Sequence, residues 1–159
     1  MATSTPKPTA ILADVKTELE EITVANSFRN TVQTVDNQFI NPETIGAKLP
    51  ALAVYAQSVD WVTATIGSTP LQLGILRFKI QGIMQVYSSA ATNISSLIQD
   101  VREKLFEDRK RSSNATNTRI THVEFGGEAF GGSFGNPPFV QAPFIGFLMD
   151  VEVDYQENL

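Results

Sequence analysis

The stretch Ile145-Gly-Phe-Leu-Met-Asp-Val-Glu-Val-Asp-Tyr155 decides the fold. Ile145, Phe147, Met149, Val151, Val153 and Tyr155 share one parity, and Asp150, Glu152 and Asp154 share the other. Successive side chains in a strand point to opposite faces, so this spacing predicts a half-buried strand with one apolar and one acidic side. The strand is expected to complete a sheet, its acidic side facing water, a channel or a basic partner.

Working back along the chain, Leu76, Phe78, Ile80, Met84 and Val86 alternate with Arg77, Lys79, Gln81 and Gln85, which predicts a second long half-buried strand. Gly82 interrupts it, as a bulge, a close approach of another backbone or a plain weak point. Ala51–Val62 follows Pro50 and is read as a strand, with Thr63–Pro70 as the turn after it. Arg119–Phe125 is rich in β-branched residues and is read as a strand preceded by the loop Ser112–Asn117. Ser27–Val35, rich in threonine and valine, is also read as a strand, followed by a long connection over Asp36–Pro50.

Helical spacing occurs twice. Ile11, Leu12, Val15, Leu19 and Ile22 form an apolar stripe for a first helix, with Thr9 as its cap and Asp14 favourably placed for the helix dipole. Ile94, Leu97, Ile98, Val101 and Leu105 form the second stripe, capped by Thr92 or Asn93 and ending near the basic run Arg109–Arg111. That run suits a helix carboxyl terminus, with phosphate contact as the alternative. The sum is an α+β class: a mainly antiparallel sheet of about four to six strands with two packing helices. Residues 1–8 read as a flexible tail and 9–159 as one domain.

Composition limits the chemistry. A chain of 159 residues with 42% hydrophobic and 18% charged residues has enough apolar side chains for one core. There is no cysteine and a single histidine, His122, so disulfides, thiolate sites and histidine clusters are excluded. The net charge of −5 opposes a whole-surface nucleic-acid binder, leaving only a local basic patch. No apolar run is long enough to cross a membrane, and no signal peptide is evident, so the expectation is a soluble protein made inside the cell.

Catalytic motifs are likewise missing. No G-x-S-x-G elbow occurs, and GGEAFGG lacks both the lysine and hydroxyl of a phosphate loop and the spacing of a dinucleotide site. His122, with no partner motif, is read as structural or surface rather than a general base. Asp150, Glu152 and Asp154 lie about 7 Å from neighbour to neighbour, but no loop supplies further oxygens for a hard cation. No metal, cofactor or catalytic residue is assigned.

Gly126–Pro143 holds five glycines and the pair Pro137-Pro138, interleaved with Phe130, Phe134 and Phe139. Two readings stand for these phenylalanines: presentation to a partner, or folding back onto the chain's own core.

The segments ILADVKTELEEI (11–22), LPALAVYAQSVDW (49–61), NISSLIQDVREKLF (93–106) and IGFLMDVEVDY (145–155), in that order, resemble the tail terminator, or tail completion, proteins of long-tailed bacteriophages. The resemblance runs from about Thr9 to Tyr155 and rests on order and size of elements, not on a catalytic motif. It implies a structural virion protein assembled in the host cytoplasm. The implied assembly is a homohexameric ring that caps the tail tube, stops its polymerisation and meets the head connector or a head-completion protein, with DNA passing through the lumen without specific binding and no membrane partner. On that view Phe130, Phe134 and Phe139 are interface residues, and Asp150, Glu152 and Asp154 face the channel. Another phage neck, connector or tail-tube protein is the near alternative. A monomeric ligand-binding domain or small enzyme, with a pocket under Gly126–Pro143, is the distant one.

Overall fold

A computed structural model describes residues 5–41, 48–67, 69–85, 90–125, 140–141 and 144–158. Two helices pack on one face of a mainly antiparallel sheet, so the chain is α+β. Helix α1 spans Lys7–Glu20 and α2 spans Ala90–Glu107. The strands are β1 Thr34–Asp36, β2 Ala51–Ile66, β3 Thr69–Gln85, β4 Asn117–Phe125, β5 Val140–Gln141 and β6 Phe144–Asn158. The order across the sheet is β1-β2-β3-β6-β4, with the short β5 also on β6. Every pairing is antiparallel except β1 with β2.

The closing strand therefore lies inside the sheet, between β3 and β4. Its six alternating apolar residues are all buried, together with Leu76, Phe78, Ile80 and Met84 of β3. Ile11, Val15 and Leu19 of α1 and Ile94, Leu97, Ile98, Val101 and Leu105 of α2 close the same core from above. Both helices follow the stripe spacing, as an apolar face buried against a sheet requires.

Two glycines of β3 are explained by their opposite numbers on β6. Gly82 pairs with Phe147, and Gly74 with Tyr155. A Cβ at either glycine would overlap the aromatic ring of its partner. The close approach at Gly82 is thus by a side chain, where a bulge, a backbone contact or a weak point was expected. The bulges lie elsewhere: Gln57 is the extra residue of β2 and Thr121 that of β4. Past Gln57 the parity of β2 inverts, so Val59 and Trp61 continue the face begun by Leu52 and Val54.

Several expected boundaries shift. The first helix begins at Lys7 after Pro6, with no side-chain cap, so Thr9 lies inside it. Thr92 and Asn93 are likewise inside α2. The turn expected over Thr63–Pro70 is shorter: β2 and β3 pair up to Ile66 and Thr69, and Gly67 takes the left-handed conformation (φ +63°) that favours glycine.

Ser27–Val35 is mostly not a strand. Val24–Asn26 is a short 3-10 helix, Ser27 is left-handed, and only Thr34–Asp36 pairs. The cause is Asp100, whose buried carboxylate accepts the backbone N–H groups of Arg29 and Asn30, the Asn30 amide (2.8 Å) and the Arg29 guanidinium (2.9 Å). Donors satisfied by a carboxylate have no need of a neighbouring strand.

Gly82→Ala is expected to cost about 1–3 kcal/mol by forcing a methyl group against Phe147. Urea unfolding of Gly82→Ala, Phe147→Leu and the double variant measures it; the two losses should be strongly non-additive, with the double variant recovering part of the loss.

Candidate functional site

The sheet face away from the helices divides into two halves. At one end Ala51, Ala53, Ile83 and Leu148 form a small apolar cluster beneath Ile40. Gln81, expected at the surface, is buried here: its amide accepts the Ile40 N–H (2.7 Å) and donates to the Ile40 carbonyl (2.8 Å), tying the segment after β1 to the sheet. Two-way pairing satisfies both ends of a buried amide, which burial alone would penalise.

The other half carries Asp150, Glu152 and Asp154, each opposed by a cation from a flanking strand. Lys79 of β3 meets Asp150 at 3.2 Å. Glu152 lies between Arg77 of β3 (3.6 Å) and Arg119 of β4 (3.3 Å). Arg119 also bonds Asp154, which holds its guanidinium pKa above the ordinary value. Arg77 reaches further, to Asp60 on β2. Read across four strands, the row Asp60–Arg77–Glu152–Arg119 alternates in sign. The surface is therefore close to charge-balanced, four carboxylates against three cations, rather than uniformly acidic.

Phe130, Phe134 and Phe139 lie outside the described residues. His122 is exposed on β4, opposite Asp150 in register. The basic run splits by position. Arg109 stacks over Phe106 and donates to Asn117 (3.1 Å). Arg111 is wholly buried, bonded to Glu18 of α1 at 2.8 Å and to the Leu105 carbonyl near the end of α2. It thus acts at the helix carboxyl terminus, as the run suggested, and also ties α2 to α1, for which the sequence carries no signal.

Asp14, Glu18 and Asp108 bring carboxylate oxygens within 4.8 Å of one another. The Arg111 guanidinium is already there, 3.7 Å from Asp14, so the group has an internal counter-ion. Burial pushes the Glu18 carboxyl up, with Arg111 pulling the other way. Asp108 is held below its ordinary value, chiefly by the Ser112 N–H (2.6 Å), and also by the Lys110 N–H (3.0 Å). These bonds support a turn in which Arg111, Ser112 and Ser113 all take positive φ.

Large apolar side chains remain in the open. Trp61 and Val62 on β2 are 56% and 66% exposed, and Phe106 on α2 is 39% exposed. The Trp61 indole N–H donates to the Tyr155 hydroxyl (2.9 Å), which fixes the ring at the rim of the core. A shallow groove between α2 and β4 is lined by Ile98, Phe106, Ile120 and His122. No described helix is long and apolar enough to cross a membrane.

No known protein family and no curated protein matches this sequence. Among solved structures, the fold is similar to a chain of the virion of a native gene transfer agent particle. The identity is 11% and the TM-score 0.47, over 97% of this chain and 100% of that one.

A carboxyl with a lowered folded-state pKa contributes stability that is present above its unfolded value and lost as pH falls through the folded value. Asp108→Asn should therefore lower the melting temperature at pH values above the ordinary aspartate value of 3.8, with the difference closing as pH falls below it. Thermal melts of both chains on either side of that value test this.

Proposed function

We propose that this chain is a structural virion protein of the tail-terminator type, forming a ring that caps a tail tube and meets the head connector. The observation that supports it is the succession of elements: α1, the long β2–β3 hairpin, α2, then β4 and β6 in one sheet. This is the order on which the sequence resemblance rests. In keeping with an assembly role, the polar groups that converge among the described residues are tied to one another in ion pairs and clamps, and large apolar side chains stand exposed on the sheet and helix. A ring needs heterologous contacts that close on themselves.

In this reading Phe130, Phe134 and Phe139 contact a neighbouring subunit or the tube, and the face bearing Asp150, Glu152 and Asp154 lines the channel. The flanking cations alter the channel mechanism. A balanced lattice presents DNA with neither strong attraction nor a uniformly repulsive wall, and so gives a passing duplex few sites at which to dwell.

Electron microscopy of the protein mixed with tail tubes from the same particle tests the cap: rings are expected at one tube end, with further growth stopped. Uncapped, growing tubes beside a protein that scatters light as a monomer at every concentration would refute it. Phe130→Ser with Phe134→Ser is expected to weaken ring assembly or docking by tenfold or more, a loss of about 1.4 kcal/mol. Sedimentation velocity reads that shift. Neutralising Asp150, Glu152 and Asp154 together leaves Lys79 and Arg119 unmatched and Arg77 held by Asp60 alone, and should slow genome delivery while rings still form. Delivery at the parent rate would remove the channel role.

A further inference from the structure

We infer that two copies of this chain join head to tail through the open edges of the sheet, the β2 edge of one against the β4 edge of the next. The inference deepens the ring reading by naming its subunit junction.

Both edges are open among the described residues. β1 covers β2 only at Ala51–Ala53, and β4 ends the strand order on the far side. The uncovered part of β2, Val54–Ile66, has a bulge at Gln57, but past it Ser58–Ile66 contains no proline or lysine and only one charge, Asp60, so that stretch carries few of the devices that keep an edge from pairing. The strands β2, β3, β6 and β4 alternate in direction. Edge-to-edge addition of a like-oriented second copy is consequently antiparallel.

Charge selects the occupant. The ion-pair row starts with Asp60 on the β2 edge and finishes with Arg119 on the β4 edge. Setting Asp60 of one copy opposite Arg119 of the next continues the alternation through the junction. The same register places Val59 and Trp61 on the side of Ile120, where the groove between α2 and β4 lies. A single pairing therefore matches charge to charge on one face and sets Val59 and Trp61 beside the Ile98, Phe106 and Ile120 side chains of a mixed groove on the other. A slip by one residue would destroy both matches.

The test compares the full chain with Val62→Lys and with Phe106→Glu, both at exposed positions, by sedimentation over a concentration series, with thermal melts to verify folding. Each variant alone should need at least about thirtyfold more protein to assemble. An equimolar mixture retains one sound junction and should stop at a heterodimer. Because the chain has no cysteine, Val62→Cys combined with Asn117→Cys should give a ladder of covalent oligomers on oxidation. Rings formed by both variants at the parent concentration, or no covalent ladder from assembled subunits, would overturn this junction and leave the ring standing. A parent chain that stays monomeric, alone and on tubes, would overturn both.

Discussion

The rings of Phe147 and Tyr155 occupy space above Gly82 and Gly74 that any other residue would fill, and this fit sets the register between β3 and β6. The consequences run through the molecule. With β6 locked at both ends, its apolar parity lies under the helices and its acidic parity lies outward beside Arg77, Lys79 and Arg119. A one-residue slip would put Asp150, Glu152 and Asp154 into the core, where unpaired charge is intolerable. It would also remove Tyr155 from the indole N–H of Trp61, the contact that anchors an exposed aromatic ring near the open edge. Sheet register, surface charge pattern and edge geometry thus descend from two glycine–aromatic contacts.

What was legible in the sequence was whatever depends on spacing within one element. The alternation in β6 and β3 and the stripes of both helices need only a period and a core to face, and they appear where expected. What failed depends on partners far away in the chain. Ser27–Val35 has strand-like composition, yet Asp100, some seventy residues on, captures its backbone donors. Gln81 has the parity of a surface residue, but the backbone of Ile40 covers it. Arg111 reads as one of three similar cations, although only it is enclosed between helices. The bulge at Gln57 reverses parity in mid-strand, which is why β2 looks irregular as a sequence although it is one continuous strand.

The charged face shows the same lesson at the level of the candidate site. Three carboxylates in period two on one strand announce an acidic surface when that strand is considered alone. Across a sheet the relevant neighbours are the residues opposite in register, and these include Arg77 and Arg119. Cross-strand pairs of opposite charge stabilise a sheet modestly, while like charges directly opposed destabilise it, so an acidic central strand needs basic flanks. The positions of Asp150, Glu152 and Asp154 were thus recoverable from sequence, whereas the character of their surroundings required the strand order.

That strand order also bears on how a cysteine-free, histidine-poor chain is put to use. Its clustered ionic groups, Asp100 with Arg29 and Asp14 and Glu18 with Arg111, close on themselves and hold loops and helices in place. Groups so committed are poor candidates for proton transfer or ligand capture, because breaking a buried pair leaves an uncompensated charge. What the fold leaves open among the described residues is different in kind: the outer edge of Ser58–Ile66, the faces of Trp61 and Val62, and an alternating charge row that ends with opposite signs at opposite edges. An edge of this sort can be satisfied by a strand without chemistry, and a molecule with complementary open edges is its own most available partner.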